Sequence, residues 1–310
     1  MPDRAFTDTR LAALYDALNP WGPGDDFYLD LMRGARAVLD VGCGTGALLI
    51  RAREEGHAGR LCGLDPAAGM LSVARERADA GVEWVRGTLD SAVRPAGAFD
   101  LVLMNGHAFQ VLVDDAEIRT FLAAVRGVLA PGGRFAFETR NPAVRAWEGW
   151  TQSAAVVVDG VRVAHEVVRG FDGRTVTFDT TFLAEGWSGP EVSRSTLRFV
   201  AEDELDGFLR AAGLVAEARY GAFDRSPLTA HSPEIITVCR VADQLTAAGA
   251  PWLVAPLEHA AAPQPHGAEM AHEVRISGAR GTAHLRGAGN GATGHDVTRT
   301  EPHAQKGPAR

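Results

Sequence analysis

Residues 38–46 read VLDVGCGTG, and the fold follows from how that stretch is read. Ala37, Val38, Leu39 and Val41 form a short apolar run of the kind that makes a buried parallel strand. Gly42, Gly44 and Gly46 come next, and the following ALLIRAREEG, residues 47–56, spaces its apolar residues as a helix does. A strand, a glycine turn and a helix let the backbone approach a nucleotide closely. The glycines recur at every second position. A dinucleotide fingerprint instead spaces them G-x-G-x-x-G, so that a pyrophosphate rests on the helix N-terminus. Asp40, at the strand end and facing the loop, suits a cationic ligand better than a diphosphate.

The pattern repeats in register along the chain. RLCGLD (60–65) is a second strand, with Asp65 at its C-terminal end. An acidic residue about 20 positions past the glycines is placed to accept hydrogen bonds from ribose hydroxyls. A helix over 66–81 leads to the strand VEWVRG (82–87). FDLVLM (99–104), apolar after Asp100, reads as a central strand. Its continuation NGHAFQ (105–110) falls at the carboxyl edge, where open α/β sheets place their ligands, and it carries His107. A lone loop histidine otherwise serves as a solvated or capping group. Residues 114–133 read as a helix with Ile118, Phe121, Leu122, Val125 and Leu129 on one face, closed by Pro131-Gly132-Gly133. RFAFET (134–139) is strand five. Strands alternating with helices predict a parallel sheet covered on both faces.

Beyond strand five the period changes to two. Residues 156–168 and 175–182 alternate apolar and polar, with Asp159-Gly160 and Asp172-Gly173 as hairpin turns, and 193–200 adds a further strand. Residues 201–213 return to helix. LVAEARY (214–220) and EIITVCR (234–240) then close the sheet as a hairpin around the polar loop 221–234. From about residue 245, Ala, Gly, Pro, Thr and His dominate. Such a composition buries too little apolar surface to offset its ordering entropy and predicts a disordered tail over 245–310.

These motifs, over roughly residues 10–240, resemble the class I S-adenosylmethionine-dependent methyltransferases, in particular bacterial small-molecule enzymes. VLDVGCGTG is similar to the family's motif I, and LAPGG (129–133) to its turn before strand five. The segments GHAFQ (106–110) and RNPAVRAWEGW (140–150) resemble an actinobacterial-looking group within the family. The resemblance implies a Rossmann-like doubly wound sheet, mostly parallel with a reversed last strand, and an antiparallel β insert after strand five. It implies S-adenosyl-L-methionine as cofactor and S-adenosyl-L-homocysteine as product. The implied cofactor residues are Asp40, Gly42, Cys43, Gly44, Gly46 and Asp65, then Pro66, Met70, Thr88, Leu89, Asn105 and Tyr28. Met70 fits equally well as ordinary core packing. The family's acidic residue near Gly87 is missing, and Asp90 stands two places beyond that position. Nor does an Asn-Pro-Pro-aromatic run, the mark of nucleic-acid amino methyltransferases, follow strand four. His107 occupies that place and is the candidate general base. Tyr15, His107, Arg140 and Arg225 are the candidate acceptor residues.

The implied organisation is an N-terminal helical lid (1–35), a cofactor-binding core (36–150) and the insert (151–200), which roofs the acceptor pocket or pairs subunits of a homodimer. Residues 201–241 then close the core. With 31 Lys plus Arg against 39 Asp plus Glu, the net charge of −8 offers no attraction to a polyanion, so neither nucleic acid nor an anionic membrane is expected as a partner. Three cysteines without metal spacing, and no apolar leader or membrane span, fit a cytoplasmic protein. The expected partner is a small-molecule acceptor. Three rivals keep part of this reading: a cyclase or lyase using the same cofactor, a non-catalytic cofactor binder, and a nicotinamide dehydrogenase, which the glycine spacing disfavours.

Overall fold

A computed structural model describes residues 3–77, 81–89, 98–242, 275–276 and 283–284. The main body is built on β1 (Ala37–Val41), β2 (Arg60–Asp65), β3 (Glu83–Arg86), β4 (Phe99–Met104) and β5 (Leu129–Arg140). Between them lie α5 (Ala47–Glu54), α6 (Ala68–Arg77) and α7 (Asp115–Val128). Four helices precede β1: α1 (Arg4–Thr7), α2 (Thr9–Ala12), α3 (Tyr15–Leu18) and α4 (Pro23–Met32). After β5 come β6 (Val156–Val158), β7 (Val161–Arg169), β8 (Thr175–Ala184) and β9 (Glu191–Arg198). The chain then returns through α8 (Glu202–Ala211) to β10 (Leu214–Tyr220) and β11 (Glu234–Val241).

Seven strands form one sheet in the order β10-β11-β5-β4-β1-β2-β3. β1 to β5 pair in parallel, and β11 enters between β5 and β10 antiparallel to both. The sheet is therefore mostly parallel with its last strand reversed, as expected. Alternation along β4 shows how both faces become buried. Val102 and Met104 join Phe135, Phe137 and the α7 residues Phe121 and Leu122, whereas Leu101 and Leu103 join Phe27, Met32 and Leu48 of α4 and α5. The rings of Phe109, Phe137 and Phe135 stack in series at 4.6 and 4.7 Å between centroids.

The four-stranded sheet β6-β7-β8-β9 is antiparallel throughout. Its first hairpin turns at Asp159 (φ +49°) and Gly160 (φ +76°), the pair of positive φ angles an Asp-Gly hairpin requires. Trp147 and Trp150, on the segment leaving β5, pack against Phe178, Leu197 and Phe199 of this sheet and the residue after it. Arg198 is fully buried, pairs with Asp115 of α7 and Glu204 of α8, and ties the sheet to the body.

Two boundaries differ from the sequence reading. The helix expected to run on to Pro131-Gly132-Gly133 stops at Val128, and those residues are instead the bulged entry to β5, where Phe99 pairs with Leu129 but Leu101 with Arg134. Pro131 disfavours helix at the residue before it, and Gly132 adopts φ +75°. The apolar spacing of Leu11, Leu14, Tyr15 and Leu18 reads as one helix over 9–18, but the structure has two short ones, Thr9–Ala12 and Tyr15–Leu18. Leu11 and Leu14 pack on the small sheet with Val161, Val163 and Phe182, while Ala12 and Tyr15 pack on Ala67 and Met70 beside α6. A single straight helix would not serve both surfaces. The tail assigned to 245–310 lies outside the described residues, apart from Arg275–Ile276 and Ala283–His284, which pair antiparallel. Asp90 also lies outside them.

The N-terminal segment thus straps the small sheet to the main body. Ala5 N donates to Ser193 Oγ at 2.9 Å, and a Cβ on Gly69 of α6 would stand 2.7 Å from Phe6 O. Gly207, inside α8, has open space at its Cβ position. Gly207→Ala is expected to raise unfolding stability by about 0.8–1 kcal/mol through helix propensity. Gly69→Ala gains the same propensity but should dislodge the strap, which limited proteolysis would register as faster cleavage within residues 3–18.

Candidate active site

The carboxyl edge of the sheet gathers the motif residues. Gly42, Gly44 and Gly46 adopt φ +74°, +56° and +75°, so the turn needs glycine at each. Gly42 N and Cys43 N donate to Leu64 O at 2.7 and 3.2 Å, which closes the loop onto β2. Asp65 accepts from Gly44 N at 2.9 Å and from Ala67 N at 2.8 Å. These bonds orient its carboxylate. The loop also packs closely: a Cβ on Gly46 would stand 2.3 Å from the Trp84 ring, and one on Gly42 would stand 3.1 Å from Ala108 Cβ. Asp40 and Cys43 are fully buried.

The end of β4 turns sharply through Gly106 (φ +65°) and His107 (φ +61°). A left-handed histidine is strained, and its surroundings hold it there. His107 N donates to Glu138 Oε1 at 2.7 Å, and the Tyr28 hydroxyl donates to Glu138 Oε2. His107 Nε2 lies 2.8 Å from Glu234 Oε2, at the start of β11. In the tautomer that carries hydrogen on Nε2 the ring donates to Glu234 and presents Nδ1 as its acceptor. Burial raises the Glu138 pKa above the usual 4.5, an effect the neighbouring His107, the Tyr28 hydroxyl and the His107 amide partly offset. The Arg140 guanidinium is pushed down to about 10 by burial, against the pull of Glu234 and Glu138. It donates to Gln110 Oε1 at 2.8 Å and lies over the Trp150 ring. His165, bonded to Thr180 Oγ1 at 3.0 Å, is lowered to about 4 by burial and then by Arg140, so it stays neutral.

A cavity of 240 Å³ opens between the N-terminal segment and these strand ends. Tyr15, Asp16 and Asn19 line one side, and Trp21, Asp25, Tyr28 and Phe223 another. Asn105, His107 and Glu138 form its floor with Ala47 at the head of α5. Asn105 is 2% exposed, and its Oδ1 has no hydrogen-bond partner among the described residues. A second cavity, of 560 Å³, is lined by Met32, Arg36 and His57 near the start of β1 and does not include the motif residues.

The structure brings Tyr15, Tyr28, Asn105 and His107 together on this cavity. Asp40, the motif glycines and Asp65 lie outside the cavity lining, on β1, the turn after it and the end of β2. Other candidates lie elsewhere. Arg225 (φ +65°) pairs with Asp30 and lies over the Phe27 ring, outside the cavity lining, so it is a packing and ion-pair residue. The Arg140 side chain is engaged by Gln110 and Trp150 and also lies outside the lining. Met70 packs with Ala12, Tyr15 and Ala67. Pro66 and Thr88 are exposed, and Leu89 is part of the core. Glu138 and Glu234 were missed by sequence reasoning. The signal for Glu138 was there: it shares the face of Ala136 in an apolar strand, one turn of the pleat from the ligand edge.

A carboxyl whose pKa rises on folding favours the fold below its unfolded value, and that contribution is lost as pH rises through the folded value. Glu138→Gln keeps an acceptor for His107 N–H and removes the titration. Urea midpoints from about pH 4 to about pH 8 should therefore fall for the wild type relative to Glu138→Gln as pH rises.

Comparison with known proteins agrees with this geometry. Residues 38–133 match the family model described as a methyltransferase domain. The chain is 35% identical to the 2-phytyl-1,4-naphtoquinone methyltransferase of Thermosynechococcus vestitus over 156 residues, 46% of this chain and 67% of that protein. Two further curated relatives are matched over only 44% and 45% of their own lengths. Among solved structures, an S-adenosylmethionine-dependent methyltransferase from Clostridium acetobutylicum superposes with a TM-score of 0.64 at 16% identity, over 76% of this chain and 98% of that one, and shares the fold. CalS10, an amino pentose methyltransferase from Micromonospora echinaspora seen with S-adenosylmethionine bound, matches at 25% identity and a TM-score of 0.53, over 72% and 93% of the two chains. By its glycine turn, its strand order and its sequence identity to these relatives, the chain belongs to the class I S-adenosylmethionine-dependent methyltransferases.

Proposed function

We propose that this protein transfers a methyl group from S-adenosylmethionine to a small-molecule acceptor, with His107, oriented by Glu234, taking the acceptor's proton. The observation that carries the reading is the His107–Glu234 contact at 2.8 Å on the wall of a cavity that Asn105 also lines. The naphthoquinone and amino pentose methyltransferases among the relatives are named for small molecules, which supports the acceptor class.

The residues present fit the cofactor. The glycine turn, with φ of +74°, +56° and +75° at Gly42, Gly44 and Gly46, offers a backbone that a ligand can approach closely. In this reading Gly42, Cys43, Gly44 and Gly46 carry the amino-acid part beside Asp40, while Asp65 takes the ribose hydroxyls. Pro66, Met70, Thr88 and Leu89 border the adenine, and Asn105 and Tyr28 face the methionine end. S-Adenosylmethionine supplies a methyl on a positively charged sulfur, so that an acceptor lone pair displaces neutral S-adenosylhomocysteine. The protein's own part is to position the acceptor, exclude water and remove its proton. Glu234 holds the His107 ring in one tautomer and stabilises the imidazolium formed when it takes that proton. Residues 3–35 serve as a lid, whereas among the described residues none of the four-stranded sheet lines the cavity. Among the described residues no helix is long and apolar enough to cross a membrane. Three buried free cysteines suit a reducing compartment.

Calorimetric titration should show saturable binding of S-adenosylmethionine and S-adenosylhomocysteine. Asp65→Ala should weaken it by about 1.5–3 kcal/mol, the worth of hydrogen bonds to a charged group. With the acceptor in hand, Glu234→Gln should lower kcat with little change in KM and shift the pH profile, and His107→Ala should lower kcat by about 10²–10⁴-fold. Unimpaired turnover by His107→Ala would remove the base assignment.

A further inference from the structure

We propose that the acceptor is a protonated amine on a small molecule, received by the Glu138 carboxylate and the Asn105 amide oxygen inside an aromatic-walled cavity. The inference rests on the methyl-transfer reading above and narrows its acceptor. Among the described residues the cavity lining holds three carboxylates, from Asp16, Asp25 and Glu138, and neither arginine nor lysine. Tyr15, Trp21, Tyr28 and Phe223 supply aromatic walls, whose negative ring faces attract cations.

Two of the carboxylates have structural work. Asp16 accepts from Thr45 Oγ1 at 2.6 Å and pairs with Arg77, and Asp25 caps Gly22 N at 3.0 Å ahead of α4. Glu138 differs from both. It is 1% exposed, and its donors in the structure are a backbone amide and a phenol, both neutral groups. Burial pushes the pKa of a carboxyl so held upward, and a cation brought to the cavity wall would offset that cost.

Asn105 is an independent pointer. Its Oδ1 is buried on the same wall without a hydrogen-bond partner among the described residues, and an unmet acceptor in such a place calls for a donor. An ammonium brings up to three N–H donors and a positive charge, so one group answers the carboxylate, the amide oxygen and the ring faces together. A hydroxyl brings one donor and no charge. A carboxylate or phosphate acceptor would meet like charge. Before reacting, the amine loses one proton: the N–H bond breaks, its electron pair stays on nitrogen, and the proton passes to the His107–Glu234 pair.

The rival occupant of these groups is the cofactor's own ammonium, and the test separates the two. The full-length protein is first saturated with S-adenosylhomocysteine, then titrated calorimetrically with benzylamine and, separately, with benzyl alcohol, which has the same shape without the charge. Benzylamine is expected to bind at least about tenfold more tightly, a difference of about 1.4 kcal/mol. Glu138→Gln should abolish that preference while changing S-adenosylhomocysteine affinity less than about threefold. The proposal falls if the two probes bind alike, if neither binds, or if the preference survives Glu138→Gln. It falls also if Glu138→Gln weakens S-adenosylhomocysteine as much as benzylamine, which would give the carboxylate to the cofactor. The wild-type comparison stands whether or not the variant folds. Failure of S-adenosylhomocysteine itself to bind is seen before any amine is added, and it overturns the methyl-transfer reading instead.

Discussion

A carboxylate buried at the end of β5 sets the geometry around it. Removing such a group from water costs several kcal/mol unless hydrogen bonds compensate. Glu138 finds them in the Tyr28 hydroxyl, from α4, and the His107 amide, from the turn after β4. Three segments far apart in sequence are thereby held to one point. The His107 amide reaches the carboxylate from a left-handed backbone, so that one hydrogen bond helps to offset both the strain of the turn and the burial of Glu138. With the backbone so fixed, the ring meets Glu234.

The reversed strand completes the arrangement. In a purely parallel sheet every strand presents its C-terminal end at the ligand edge. β11 runs the other way, so its first residue, Glu234, arrives there, paired in register with Arg140, while Ile236 lies opposite Glu138. The polar loop before β11 also returns to this edge and brings Phe223 to the cavity wall. The four-stranded sheet is anchored separately, through Gln110, which accepts from Arg140 and donates to Arg198 O at 2.8 Å, and through the buried Arg198 itself. Arg140 thus works as a tie between sheets.

How much of this the sequence disclosed depends on whether backbone or side chains do the work. The cofactor half of the edge is made of a strand, a turn and an acidic strand end, each with a local signature: glycine wherever φ is positive, apolar alternation, Asp65 at its fixed distance. The small sheet was equally plain, because Asp-Gly turns and period-two alternation are local too. The side-chain cluster of Tyr28, His107, Glu138 and Glu234 spans more than 200 residues and meets only when β11 inserts beside β5. Charge type alone did not separate Arg225, which settles on Asp30 and Phe27, from a residue of the cavity. The break in the N-terminal helix was hidden for the same reason, since two distant surfaces divide its apolar residues between them.

The division between the two halves also bears on how acceptor preference would change within this fold. Moving Gly44 or Asp65 disturbs a loop closed by backbone bonds to Leu64 and Ala67, where a Cβ at Gly46 or Gly63 already meets the Trp84 ring. The cofactor side therefore tolerates little. The opposite wall is built from side chains of α4, the lid and the loop before β11, none of which closes the sheet. Substitution there alters charge and shape without breaking a strand, whereas loss of Glu138, on β5, would free both the Tyr28 hydroxyl and the His107 turn. Under the proposed reading, acceptor choice is free to vary around one fixed acidic point.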